Sequence, residues 1–279
     1  MPIITISRGS YSRGKEVAEK LAQKLGYACL SRDILLEASD EFDIPEIKLV
    51  RALHDAPTVL ERFSHGKERY VSYIRSSLLQ HVLKDNVVYH GLAGHYLLAG
   101  IPNVLKVRII ADMEDRVREE MKREGISAEK ARYILIKDDE ERRKWSLQLY
   151  GMDTWDSRLY DMVLNIQNLR VEDAVDILAE TAGKPVFQTT PESRRILENL
   201  ALAARVQATL VKVDPMVGVS AEDGTVTIAT GQKALAANSD VLAEMKRLAQ
   251  SVTGVKEIVL QQFPTQKQER NINPFHNVG

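Results

Sequence analysis

The stretch that most limits the fold lies near the start of the chain. A short β-branched run, Ile3-Ile4-Thr5-Ile6, is followed by Gly9-x-x-x-x-Gly14-Lys15 and then by a helical pattern to Leu25. Val17, Leu21 and Leu25 recur at every fourth position, with Ala18 and Ala22 beside them and Gly26 just beyond. That pattern gives one apolar helix face and a C-terminal stop. A buried strand, a tight loop and a helix, in that order, form the setting a phosphate-binding loop needs. Such a loop works through its backbone: N–H groups point inward and the helix adds its positive end. Glycines permit positive φ angles and close approach, and the lysine carries a mobile charge to the β and γ phosphates. Gly9, Ser10, Tyr11, Ser12, Arg13, Gly14, Lys15 and Glu16 are therefore the candidate nucleotide-binding residues. Glu16 stands where the common motif has Ser or Thr for magnesium. A carboxylate there either reaches magnesium through water or favours the helix N-terminus electrostatically.

Strands and helices alternate through the next part of the chain. The pattern predicts helices over 31–42, 45–53, 67–84, 113–124, 127–150 and 171–182. Ser31 caps the first of these, Asp33 lies in its first turn, and Gly183 caps the last. Strands are predicted over 86–89, 104–111 and 162–166. The alternation predicts an α/β fold with a doubly wound parallel sheet. Gly183-Lys184-Pro185 and Thr189-Thr190-Pro191 interrupt the pattern, so residues 1–184 are expected to form one domain. Residues 190–263 are expected to form a small α+β domain: helix 191–209, strand 215–221, strand 225–230, helix 238–252 and strand 255–262. Asp223-Gly224 between two β-rich runs signals a hairpin. Residues 264–279 are polar and aperiodic and are expected to be disordered.

Net charge is −1, which argues against a general polyanion binder, so no nucleic-acid partner is expected. Cys29 is the single cysteine; it excludes an internal disulfide and is read as core. No apolar run is long enough to span a bilayer, and the N-terminus lacks a secretory pattern, so a cytoplasmic setting is expected. His90 and His95 are five apart, a poor helical ligand spacing, so no metal site is expected and both read as structural or acceptor-site residues. Trp145 and Trp155 either cover a base or pack an amphipathic face. The charged run Lys137 to Lys144 reads as a solvated face with i,i+4 pairs, or as a lid bringing cations to a transferring phosphoryl group.

Several stretches together resemble the cytidylate kinase-like branch of the nucleoside monophosphate kinases. They are Ile4-Thr5-Ile6-Ser7-Arg8 with Gly14-Lys15-Glu16-Val17-Ala18, then Leu30 to Leu35, Pro102 to Ile109, Asp139-x-x-Arg142 and Leu159 to Asn165. The resemblance covers roughly residues 1 to 182. It implies a P-loop fold with a helical lid, ATP and Mg2+, and phosphoryl transfer to a pyrimidine nucleoside monophosphate of the CMP or dCMP kind. An acidic residue at Glu16 is then a family trait. Lys15, Arg142 and Arg143 are implied as catalytic cations, and Asp33, Arg158 and Asp161 as acceptor-binding residues. The chain departs from the family pattern at Leu92, where an arginine is usual, and at Tyr11 and Arg13, where glycines are usual. Those departures motivate a second reading, a nucleotide-binding sensor or regulator of weak activity. The C-terminal part resembles a BON domain, through Asp223 to Ile228 and Val255 to Val259. That resemblance implies a ligand, lipid or protein partner; a small domain for dimerisation or ligand sensing is an equal reading.

Overall fold

The computed structural model describes residues 2–9, 12–31, 33–43, 66–91, 93–230 and 239–262. Its elements run β1 (Ile3–Arg8), α1 (Gly14–Leu25), β2 (Ala28–Leu30), α2 (Asp33–Phe42), α3 (Gly66–Val82), β3 (Val87–His90), α4 (Gly94–Leu97), β4 (Val104–Ile110), α5 (Met113–Glu124), α6 (Ala128–Tyr150), β5 (Met162–Asn165) and α7 (Val171–Ala182). They continue with α8 (Pro191–Leu210), β6 (Gly218–Glu222), β7 (Thr225–Thr230), α9 (Ser239–Gln250) and β8 (Glu257–Gln262). The helix expected over 45–53 and the tail at 264–279 fall outside the described residues.

The chain forms two compact units, each drawn from separated stretches. The first holds a parallel sheet of order β2-β3-β1-β4-β5. Ile3, Ile4 and Ile6 of β1 are wholly buried at its centre. This follows from the unbroken β-branched run, since a strand covered on both faces does not alternate. Val17, Ala18, Leu21 and Ala22 of α1 lie in one apolar core with Val171, Val175 and Leu178 of α7. Lys20–Glu172 and Lys24–Asp176 bridge the two helices, each at 2.6 Å. β2 and β3 lie to one side of β1, β4 and β5 to the other. In such sheets the ligand crevice opens beyond the carboxyl ends of the strands where the order reverses.

Short elements escape the sequence pattern, among them the three-residue β2 and the four-residue α4. Neither is long enough to show a period. Cys29 lies on β2, partly buried against the core rather than within it. Gly26 ends α1 with left-handed backbone (φ 68), and Gly183 caps α7 as expected, with right-handed backbone (φ −71). The strand expected from 215 begins at Gly218.

The second unit combines most of α2 and α3 with the chain from Thr190 onward. Its helix-strand-strand-helix-strand order is the one predicted over 191–262. Thr190 caps α8 by accepting a hydrogen bond from the Ser193 amide at 3.1 Å, and Pro191 fills the first helical position. Asp223 (φ 49) and Gly224 (φ 97) turn the antiparallel β6–β7 hairpin, and β8 adds parallel to β7. α3 packs along α8, and Phe42 of α2 stacks on Tyr73 of α3 with ring centroids 4.3 Å apart. No helix among the described residues is long and apolar enough to cross a membrane.

Candidate functional site

The loop from Gly9 to Gly14 leaves the carboxyl end of β1. Ser10 and Tyr11 lie outside the described residues. Ser12 is wholly buried, and its hydroxyl lies 3.0 Å from the Gly9 carbonyl and 3.1 Å from that of Ile109. Its one proton is shared between two acceptors, which pins the loop to the end of β4. Gly14 is required by close approach: a Cβ there would stand 2.7 Å from the Arg8 Cβ. The left-handed backbone falls on Arg13 (φ 58), not on either loop glycine. Arg13 precedes α1 and provides no side-chain cap, so among the described residues no side chain caps the positive end of the helix, where an anion is favoured.

Lys15 extends into solvent with its Nζ 3.6 Å from Glu19. Glu16 is held by Arg13 at 2.8 Å and Lys20 at 3.0 Å. Burial raises the Glu16 pKa, but hydrogen bonds from Lys20 and Arg13 outweigh it and hold the carboxyl below its ordinary range.

A small cavity of about 30 Å³ opens beside the loop. Ser7, Arg8 and Gly9 form its floor, with Asp139 and Arg142 of α6 on another wall. Asp139 holds Arg116 of α5 at 2.8 Å and lies 3.9 Å from Arg142. The Arg116 guanidinium packs 3.6 Å from where a Cβ on Gly9 would sit. Sequence reasoning missed Arg116 because it is one charge among many on α5. Only its burial, 7% exposed, sets it apart.

The remaining wall carries His95, Tyr96, Arg108, Thr154 and Trp155. Tyr160 donates to the Thr154 carbonyl at 3.0 Å and accepts from Arg108 Nη1 at 3.3 Å. His95 Nε2 lies 3.4 Å from the same hydroxyl. Which of the two donates follows the imidazole tautomer. Burial first, then Arg108 and Lys106, push the His95 pKa down to about 3. The imidazole is therefore neutral at ordinary pH. Both tryptophans line the cavity: Trp145 is buried beside Tyr150, while Trp155 is half exposed under Arg143 at 4.8 Å.

The sequence-predicted residues thus divide. Gly9 and Arg142 reach one cavity. Arg143 turns to Asp153 at 2.6 Å and to Trp155, and is not part of the cavity wall. Arg158 is almost fully exposed and pairs with Asp156 in its own turn at 2.7 Å. Asp161 accepts from the Lys106 amide and returns its own amide to the Lys106 carbonyl, each at 2.8 Å, extending the β4–β5 pairing. Asp33 begins α2, and Leu92 lies outside the described residues. Among the described residues no three His, Cys, Asp or Glu side chains are grouped to hold a metal.

Residues 3–168, more than half of the chain, match the cytidylate kinase-like family. The chain belongs to that family. Among its relatives, the cytidylate kinase of Staphylothermus marinus is 28% identical over 105 residues, covering 38% of this chain and 59% of that protein. That of Thermococcus kodakarensis is 34% identical over 80 residues, covering 29% of this chain and 40% of that protein. The chain spans about half the length of these two relatives. The cytidylate kinase of Ignicoccus hospitalis is 25% identical over 179 residues, 64% of this chain and 97% of that protein. An uncharacterized protein from Eubacterium ventriosum has a similar fold, with TM-score 0.51 and 21% identity over 65% of this chain and 98% of that one. Within the cytidylate kinase-like family frame, the matched region contains β1, the loop, α6 and β5.

Proposed function

We propose that the chain transfers the γ-phosphoryl group of ATP to a nucleoside monophosphate of the CMP or dCMP kind, or to a related small acceptor. The observation that carries this reading is the approach of Arg142 to the cavity floored by Ser7, Arg8 and Gly9, beside the uncapped N-terminus of α1. Phosphoryl transfer needs positioning and positive charge around the moving group, and those residues supply both. In this reading the loop amides and Lys15 hold the phosphates, and Arg142 meets the charge on the transferred group. Arg143 steadies the lid through Asp153 and Trp155. Asp33, Arg158 and Asp161 lie on the acceptor side.

ATP fits the residues present, because the α1 N-terminus is open to an anion and Gly14 gives the loop its tight path. Magnesium, when bound with the nucleotide, supplies charge neutralisation between the phosphates. Glu16 is the loop carboxylate able to reach it through water, on release from Arg13 or Lys20. The cavity beside the loop, about 30 Å³, is smaller than a nucleotide, and an outward movement of α6 is the change we propose for admitting one. The first unit serves as the phosphotransfer unit, and residues 190–263, joined in the second unit by α2 and α3, serve as a BON-like accessory domain.

The test is purified protein with ATP, magnesium and a panel of monophosphates. Diphosphate formation supports the proposal. Bound ATP with no diphosphate from any acceptor refutes it and favours a nucleotide sensor. Arg13 motivates that second reading, since a left-handed arginine tied to Glu16 replaces the glycine usual in such loops.

A further inference from the structure

The second unit contains a cleft of about 510 Å³, within the range that encloses small organic ligands. α3 and α8 form one side, and the β6–β7 turn and the segment entering β8 form the other. Two cations line it, Arg205 and Lys256. Arg205 donates to the Thr253 carbonyl at 3.4 Å, and Lys256 to the Asp223 carbonyl at 2.9 Å. Neither forms an ion pair among the described residues. The carboxylates of the cleft are engaged elsewhere: Glu198 is bound by Arg194 at 2.8 Å, and Asp223 lies 3.5 Å from Arg195. Glu41 of α2 lies in the field of Arg205, but desolvation raises its pKa, which weakens it as a counter-charge.

Two further features mark a built site. The Gln80 amide nitrogen is buried at the cleft wall and finds no acceptor among the described residues. A buried donor left unmade is costly, and a ligand or water that accepts from it removes that cost. Gly224 is held at φ 97, and a Cβ there would meet the Lys256 Cδ at 2.7 Å. The glycine therefore lets the lysine stem lie across the turn and fixes where its ammonium ends. Leu83 and Leu202 supply an apolar surface in the same cleft.

We propose that this cleft binds a small organic anion, a carboxylate or a phosphate ester, between Arg205 and Lys256 with the Gln80 amide as a third donor. The site is separate from the phosphate loop and stands whether or not the chain transfers phosphate. The ester is either free in solution or borne on a lipid headgroup.

The full chain is tested by hydrogen exchange with citrate, with glycerol 3-phosphate, and with phosphatidylglycerol vesicles. Saturable protection of peptides covering 198–205, 222–225 and 253–256 is expected with at least one probe. Protection by a soluble probe assigns a free metabolite, and protection by vesicles alone assigns a headgroup. The Arg205→Gln and Lys256→Gln variants each weaken binding by about tenfold or more, as loss of a charge-assisted contact requires. Lys15→Ala leaves it unchanged, which separates this site from the nucleotide loop. Lys256 is exposed, so its variant keeps the test valid should the Arg205 variant fold poorly. No protection with any probe, or equal protection in both Gln variants, overturns the proposal.

Discussion

Arg116 of α5 and Asp139 of α6 form an ion pair at 2.8 Å, with side chains only 8% and 16% exposed. The pair joins the helix behind the phosphate loop to the helix that carries Arg142. Replacing Asp139 with Asn removes the charge facing a buried guanidinium. Breaking such a pair costs about 3 kcal/mol, against under about 1 kcal/mol for an exposed one. Urea denaturation should therefore show a large loss for Asp139→Asn and a small one for Arg143→Ala, whose pair with Asp153 is largely exposed. Equal losses would contradict the assignment.

The two loop glycines should respond differently to alanine. At Gly14 the new Cβ would stand 2.7 Å from the Arg8 Cβ, so α1 or β1 must shift. At Gly9 the nearest atom is 3.6 Å away, an ordinary contact. Gly14→Ala is expected to abolish ATP binding by calorimetry, while Gly9→Ala retains a folded protein with measurable affinity. The reverse order would show that the loop path is wrong.

Much of this region was legible because the apolar periods of β1 and α1 are strong and the loop spacing is fixed by the phosphate it must surround. The predicted bounds of α1 and α5 coincide with the observed ones. What the sequence hid was partnership. Periodicity predicts α3 but cannot say that it packs along α8. It marks Arg116, Arg142 and Arg143 alike as charges on helices, although one is buried, one lines the cavity and one stacks on Trp155. It also left His90 and His95 undecided between packing and the acceptor side, and only the Tyr160–Thr154 network places His95 at the cavity.

Ser12→Ala should loosen the loop. The substitution removes the hydroxyl shared by the Gly9 and Ile109 carbonyls. The expected loss is about 1–2 kcal/mol, the usual cost of leaving buried acceptors less satisfied. Amide exchange at Gly9 should rise in parallel, and an unchanged rate would remove Ser12 as the pin.

His95 gives a pH signature. Its folded pKa is about 3 against 6.5 when free. As pH falls, the unfolded chain takes up this proton before the folded one. The stability is complete above pH 6.5 and is lost progressively as pH falls toward 3, by about 2 kcal/mol at pH 5 relative to pH 7. His95→Gln should flatten the dependence of denaturation midpoint on pH across that window. An unaltered slope would show that His95 is accessible to protons in the folded state.

The proposed phosphoryl transfer at the Gly9–Lys15 loop under Arg142 can be read directly. It is tested by following ATP, magnesium and CMP, with the other monophosphates as controls, by phosphorus NMR in the wild type, Lys15→Ala and Arg142→Ala. Nucleoside diphosphate and ADP are expected in equal amounts from the wild type. A fall of about a hundredfold or more is expected in each variant, as removal of a transition-state cation gives. Diphosphate formation at the wild-type rate by Lys15→Ala, or none from any acceptor by a wild-type protein that binds ATP, would contradict it.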